Sequence, residues 1–420
     1  MLSSRGTKKA ESLHRPWRYA AAHTYDAETN PSGMISLGMA EHAPMRQEIA
    51  TYINYKVSFS ANDIGYRPRP DSPARLPQAV ASHLNSLLKP TVPINADHVV
   101  TASGLTAIGS MLAFTLAEDS DGILVARPVY GRFELDYGVE AGVQMVYADT
   151  EPEESFTPGV VMKYEAALKD AVSKGITVRA VLLVNPHNPV GRCYPKETLV
   201  EVLRFCGKYN LHVISDEVYA SCVFDSGDPR AVPFTSILSI DAKGLIDPTL
   251  VHVLWGFSKD FAAGGLHLGF LITASGPLRE ACKVIVRLHH PSTTTQAIGA
   301  AILENQAFVA NFMEKSRQDL ANTYRIVTST LDKKGINYVK GGTAGFFIFV
   351  DLSPYLPTNT STTQGEFALA QKFLDAGVFL HPGEEHAKQA GWFRLVFSHE
   401  EDVLREGLRR MLLVLKDGSY

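Results

Sequence analysis

At 420 residues, with 45% hydrophobic and 20% charged residues, the chain exceeds the size at which one hydrophobic core stops growing, and its composition excludes disorder and a collagen-like repeat. Forty Lys+Arg against forty-four Asp+Glu leave a net charge of −4, a balance that points away from nucleic acid and anionic lipid and toward a small-molecule partner. Cys193, Cys206, Cys222 and Cys282 form neither a CxxC pair nor a zinc spacing, no run of eighteen apolar residues marks a membrane span, and the first residues lack the apolar stretch of a secretion signal; reduced thiols in a cytoplasmic protein are expected.

The first sixty residues read as an irregular arm with one helix over about residues 44–55. From residue 72, helical stretches alternate with short apolar runs at 122–126, 143–147, 180–184, 211–215, 251–257 and 270–273. That alternation predicts a mostly parallel sheet covered on both faces. Leu199, Val202, Leu203 and Cys206 mark one covering helix, with Gly207 as its stop. Beyond residue 291 the order changes to a long helical region reaching 324, a strand at 345–350, a helix near 366–376 and a strand at 392–397, the mix of a smaller α+β lobe. The last helix is expected to open on a capping box, Ser398 with Glu401, and carries Leu404, Leu408, Met411 and Leu415 on one stripe. The predicted class is α/β: residues 61–295 form a large domain, 296–420 a small α+β domain, and 1–60 an arm that also joins the small domain.

Ligands of open α/β sheets bind outside the carboxyl ends of the strands. Three such ends carry an unusual load: Asn185-Pro-His-Asn-Pro-Val-Gly191, Asp216-Glu-Val-Tyr219 and Ser258-Lys259-Asp260. An Asp, a Tyr three residues on, an Asn on a Pro-locked turn and a Lys at another strand end together make a pocket for a charged aromatic ring. Each alone has a bland reading, the Lys as a solvated terminus and the Asp as a helix cap; their joint order carries the argument. Asp119-Ser-Asp121-Gly122 lacks the bidentate Glu of a calcium loop and His289-His290 lacks a ligand companion, so no metal site is expected. The chain has no GxGxxG, Walker loop or GxSxG, which removes nicotinamide, ATP and serine-hydrolase chemistry.

NPxNPxG, DExY and SKD, in that order, resemble the fold-type I, class I/II aminotransferase family of pyridoxal-phosphate enzymes. Ile35-Ser-Leu-Gly-Met-Ala-Glu41 and Gly391-Trp-Phe-Arg-Leu-Val-Phe397 are most similar to its aminocyclopropane-carboxylate synthase branch, and the likeness runs from about residue 30 to 415. It implies the PLP-dependent transferase fold, fold type I, with pyridoxal 5'-phosphate as cofactor and an α-amino acid as substrate. It also implies a homodimer with its sites at the interface, and neither nucleic acid nor membrane as partner. The expected reaction passes through an external aldimine and a Cα carbanion to transamination. Elimination at Cβ or Cγ, such as C–S cleavage of a cysteine conjugate, is the alternative, and a non-catalytic binding protein is the reading from a different class.

The resemblance also implies residue roles. Lys259 forms the Schiff base and carries the Cα proton, provided the site lowers its pKa. Asp216 pairs with the pyridine nitrogen, Asn188 and Tyr219 donate to the phenolic oxygen, and Tyr130 stacks on the ring. Arg394 forks onto the substrate carboxylate, with Asn188, Ala40 and Glu41 in the substrate pocket. The phosphate lies at the helix that begins near Ser103-Gly-Leu-Thr106, with Leu105, Thr106, Ser258 and His267 around it. Two departures fall there, Gly256 where the family has Ser and His267 where it has Arg, and both are expected to weaken the anion site. Tyr66 is the counterpart of a tyrosine that reaches across the dimer. His42 stands where the synthase branch usually has Asn, which argues against synthase activity itself.

Overall fold

A computed structural model describes residues 1–11, 24–65, 75–357, 362–383, 387 and 389–417. In chain order the strands are β1 (Ile35–Ser36), β2 (Val99–Ser103), β3 (Gly122–Arg127), β4 (Gln144–Asp149), β5 (Val178–Val184), β6 (His212–Asp216), β7 (Val251–Gly256) and β8 (Leu268–Thr273), followed by β9 (Phe347–Asp351), β10 (Val378–Phe379), β11 (His381–Pro382) and β12 (Trp392–Val396). Strands β2 to β8 make one seven-stranded sheet in the order β2-β8-β7-β6-β5-β3-β4. All neighbours are parallel except β8, which runs antiparallel to both β2 and β7.

The apolar runs of β3, β5 and β7 are buried along nearly their whole length because helices cover both faces of the sheet. The Gly104–Leu116 helix packs on one side with Ile108, Met111 and Leu112, and the Lys196–Tyr209 helix on the other with Leu199, Val202, Leu203 and Cys206. That second helix does not stop at Gly207. It runs on to Tyr209 and ends on Asn210 in the left-handed conformation (φ 51°). Gly207 is there for another reason, since a Cβ at 207 would run into the Leu245 carbonyl. Strand β2 escaped the sequence pattern because its Thr101 and Ser103 interrupt the apolar run.

A second core gathers β1, β9, β10 and β12. β1 pairs in parallel with β10, so the early segment is stitched into the smaller lobe, while β11, β12 and β9 form an antiparallel trio. The predicted helix after residue 291 is two helices, Thr293–Glu304 and Gln306–Lys334, broken at Asn305, whose side chain accepts from the Phe308 N–H. The longer one spans both cores: Val309, Phe312 and Met313 pack on the first, and Leu320, Tyr324, Val327 and Leu331 on the second. The last helix, Glu401–Asp417, buries Leu404, Leu408, Met411 and Leu415 as its stripe predicts. The expected capping box is absent there. The helix begins at Glu401, three residues beyond Ser398, and the Ser398 hydroxyl donates to the Glu41 carbonyl at 2.6 Å. Among the described residues no helix is long and apolar enough to cross a membrane.

Candidate functional site

The carboxyl ends of β2, β3, β5, β6 and β7 open into one cavity of about 900 Å³. Every predicted site residue in the described part of the chain lies on its wall, from Ala40 and Glu41 to Arg394; Tyr66 lies outside the described residues.

The lysine is delivered by a single helical turn, Phe257–Asp260, that follows β7 directly. Its Nζ donates to the Ala40 carbonyl at 2.7 Å. Burial, and then the charge of Arg394, lower its pKa to about 8. Asp216 closes β6, and burial pushes its carboxyl up to about 7 against the pull of the Val218 N–H, which donates to it at 3.2 Å. A buried amine and a buried acid are thus both brought toward neutrality, the condition under which each can give or take a proton. Tyr219 packs edge-on against Phe346 and Phe347, each at 5.3 Å, and burial holds its phenol well above the usual range, so it stays a donor.

Arg394 sits on β12 between the core residues Phe393 and Leu395 and is 4% exposed. One guanidinium nitrogen donates to Asn188 Oδ1 at 3.0 Å and another to the Gly38 carbonyl at 2.8 Å. Because the Asn188 oxygen is engaged by a cation, its amide N–H pair is turned to other acceptors. The Asn185–Gly191 turn that carries Asn188 is anchored in its own right, with Asn185 bonded to the Thr235 carbonyl and the Tyr194 N–H.

At the other end of the cavity β2 passes through Ser103 into the Gly104–Leu116 helix, with Gly104 at φ 82°. Three glycines stack backbone on backbone there. Gly256 faces Gly269 across β7 and β8, a Cβ on Gly256 would lie 2.7 Å from the Leu268 carbonyl and 2.8 Å from Leu105 Cδ1, and a Cβ on Gly269 would lie 2.5 Å from the Gly104 carbonyl carbon. Gly256 therefore has a packing reason of its own beyond the loss of a serine hydroxyl. His267, in the left-handed conformation (φ 48°), brings Nδ1 to 3.7 Å from the Cβ position of Gly104, beside the first helical turn with Leu105 and Thr106. Free backbone N–H groups and the helix dipole favour an anion at that turn.

Around the substrate end, Glu41 pairs with Arg46. His42 is not on the cavity wall. It is buried behind it, with Nε2 2.8 Å from Asp319 and Nδ1 3.2 Å from the Ser316 hydroxyl, so the change from Asn acts on the anchoring of the segment and not on the wall.

Among the cavity residues not foreseen are Asp136, Arg132 and His381. Asp136 is carried by the short Phe133–Gly138 helix, and burial pushes it up to about 6. Arg132 stands just before that helix, and His381 pairs opposite Arg394 between β11 and β12. Proximity to Tyr130 was the available signal for the first two, and the Pro382-Gly383 turn for His381. Among the described residues no group of three His, Cys, Asp or Glu is placed to hold a metal ion.

The sequence profile of the family described as Aminotransferase class I and II matches residues 22–411. The chain is 32% identical to the mouse (Mus musculus) 1-aminocyclopropane-1-carboxylate synthase-like protein 1, over all of this chain and 84% of that protein. It is 30% identical to an Aspergillus oryzae protein named "Probable aminotransferase aclI", over 99% of this chain and 98% of the other. A solved aspartate aminotransferase of Thermus thermophilus, a double mutant, shares the fold with a TM-score of 0.71 and 20% identity, over 99% of this chain and 97% of its own. The donor set fits the cofactor of that family: a helix N-terminus opened by three stacked glycines for a phosphate, a buried acid for a ring nitrogen and a buried amine for an aldehyde. The chain belongs to the class I and II aminotransferases, fold-type I enzymes that use pyridoxal 5'-phosphate, and to the branch of the aminocyclopropane-carboxylate synthase-like proteins.

Proposed function

We propose that the chain is an enzyme that converts an α-amino acid and that its reaction is transamination. The observation that carries this reading is the convergence of Lys259, Asp216 and Arg394 on one buried cavity, with the amine and the acid both drawn toward neutrality. Bound there, pyridoxal 5'-phosphate supplies the sink for the electrons left when an amino acid loses its Cα proton. Lys259, with a pKa of about 8, takes that proton and returns it. Asp216 holds the proton that the ring nitrogen needs. Arg394 grips the substrate carboxylate with its planar fork and keeps Asn188 oriented beside it. Tyr219 and Asn188 donate to the phenolic oxygen, Tyr130 covers the ring face, and Leu105, Thr106, Ser258 and His267 surround the phosphate. Ala40 and Glu41 close the substrate side.

The functional unit in this reading is a homodimer with Tyr66 of each chain entering the other's site. Exposed apolar side chains at the cavity rim, Met39, Val139 and Leu288, support such a contact. In this reading the chain divides into an arm at 1–60, a large domain at 61–295 and a small domain at 296–420; the two cores, with the Gln306–Lys334 helix running between them, support two lobes, although the Thr293–Glu304 helix packs into the core of the large one. Four buried free thiols support a cytoplasmic setting.

The test is the visible spectrum of the protein with added pyridoxal 5'-phosphate, titrated with a panel of amino acids and cysteine conjugates, with Lys259→Ala as control. A Lys259-dependent band that is bleached by one substrate class, with a keto acid and pyridoxamine 5'-phosphate as products, is the expected result. Ammonia beside the keto acid would assign the protein to elimination. No band at saturating cofactor would overturn the enzyme reading.

A further inference from the structure

Asp260 follows Lys259 directly, yet it is not part of the cavity wall. Its carboxylate is 1% exposed and receives donors of three kinds. The Ser221 N–H reaches its two oxygens at 3.0 and 3.1 Å, the Trp255 indole N–H donates at 2.8 Å and the Cys222 thiol at 3.2 Å. Burial pushes this carboxyl up to about 6 while those donors pull it down. An acid buried without a guanidinium or ammonium among these donors costs stability, and an apolar side chain would fill the same space more cheaply.

What the carboxylate joins gives the reason for it. Ser221 and Cys222 belong to the turn that continues directly from Asp216 and Tyr219. Trp255 is the last residue of β7 before Gly256. Asp260 itself closes the one-turn helix that presents Ser258 and Lys259. Arg317, from the helix that spans both cores, donates to the Ser221 carbonyl at 3.2 Å and holds the same turn from its other side. One buried carboxylate therefore joins the ends of two neighbouring strands, β6 and β7, whose side chains line one cavity, with Lys259 Nζ 6.0 Å from the Tyr219 ring centroid.

We propose that Asp260 is a positioning residue for Lys259: its carboxylate locks the lysine turn against the Asp216–Tyr219 turn, so that amine, acid and phenol keep the spacing that one planar ring requires. The inference rests on the pyridoxal-phosphate reading of the site. It separates two modes of binding. Ring and phosphate contacts alone hold pyridoxamine 5'-phosphate, whereas pyridoxal 5'-phosphate also needs the lysine amine at the aldehyde.

Asp260→Asn keeps the volume but replaces one acceptor by an N–H pair, which sets a donor against a donor. The measurement is equilibrium binding of both cofactor forms to the full chain, together with the pH midpoint of the Lys259-dependent visible band. Expected in Asp260→Asn are pyridoxal phosphate binding weakened by about tenfold, the loss of a hydrogen bond to a charged group, and a midpoint moved by about one pH unit. Pyridoxamine phosphate should weaken by less than about threefold, a contrast that general loosening of the fold would not give. Trp255→Phe and Cys222→Ala each remove one donor, leave the carboxylate in place, and should move the midpoint in the same direction by less; they carry the test if Asp260→Asn does not fold. Equal weakening of both cofactor forms, or an unmoved midpoint in the folded variants, overturns the proposal alone. Absence of any Lys259-dependent band in the unaltered protein removes the cofactor reading and this proposal with it.

Discussion

Lys259 donates to the carbonyl of Ala40 at 2.7 Å, a bond between groups 219 residues apart in the chain. The same short segment offers the Gly38 carbonyl to Arg394, and it is held to β12 by the bond from the Val396 N–H to the Leu37 carbonyl. Lys259 and Arg394 are thus seated on one stretch of backbone, and each acts on the other. The charge of Arg394 is the largest influence after burial in lowering the Lys259 pKa.

Arg394→Gln removes that charge, so the Lys259 pKa rises above about 8. At pH 7.5 a smaller fraction of the amine is then neutral, and capture of pyridoxal phosphate slows. The pH profile of the capture rate should move to higher pH in this variant, while the KM for the amino acid rises because the carboxylate fork is gone. An unmoved profile would separate the two cations.

Restoring the family's residues at the phosphate end should give opposite results at the two positions. His267→Arg places a fixed charge beside the first helical turn, and cofactor binding should tighten by roughly tenfold, the worth of one charge-assisted hydrogen bond. Gly256→Ser forces a side chain against the Leu268 carbonyl and Leu105. It should destabilise the fold by roughly 1–3 kcal/mol and lower the Tm by several degrees without improving binding. Equilibrium dialysis of the cofactor and thermal scans of the two variants distinguish these outcomes.

The contrast between His267 and Gly256 also marks how far the sequence could be read. Lys259, Asp216, Tyr219 and Asn188 were legible because each stands at or just beyond the end of an apolar run, in a short motif whose residue types the chemistry requires, and the fold sets those ends side by side; Arg394, in the middle of the apolar run of β12, was legible only through the resemblance carried by residues 391–397. Gly207, Gly256 and Ser398 were misread or half read because their roles depend on partners distant in sequence: the Leu245 carbonyl, the Leu268 carbonyl and the Glu41 carbonyl. Periodicity contains no term for such approaches. Asp136 and His381 were missed because neither belongs to a local motif: Asp136 reaches the cavity from the short helix after β3, and His381 from β11 of the smaller lobe.

His42 links the Gly38–Glu41 segment to the helix that spans both cores, through Asp319 and Ser316. His42→Ala leaves the Ser316 hydroxyl buried without that partner and should cost about 1–3 kcal/mol of stability. Because the released segment carries Ala40 and Glu41, the KM for the amino acid should rise more than the kcat falls. His42→Asn, the smaller side chain of the synthase branch, should recover part of the stability if it spans to Ser316 or Asp319. Thermal unfolding and steady-state kinetics of the two variants check both halves of this expectation.

The buried acids and the buried histidines give the cofactor-free protein opposing pH dependences. Asp216 and Glu217 have folded pKa values of about 7, raised by burial above their unfolded values of 3.8 and 4.5. The native state therefore binds more protons than the unfolded one across that interval, and this contribution to stability falls as pH rises through about 7. The buried histidines His83, His187, His252 and His399 act in the opposite direction, with folded values of about 3 to 4 against 6.5 unfolded, so their contribution is lost as pH falls below 6.5. Below pH 6.5 the two sets oppose each other. Between about pH 6.5 and 7.5 the unfolded histidines are still losing protons, and Lys259, lowered to about 8, begins to lose its own in the fold, so both oppose the acids there as well. The share of Asp216, at most about 1.4 kcal/mol per pH unit, is therefore read as a difference between two proteins. The Tm of cofactor-free Asp216→Asn should rise relative to that of the unaltered cofactor-free protein from pH 6.5 to 7.5, and bound pyridoxal phosphate should act in the same direction, because a protonated ring nitrogen favours the ionised form of Asp216. A Tm difference that stays constant across that interval would show that Asp216 is already ionised in the fold, and the proton assigned to it would have to come from elsewhere.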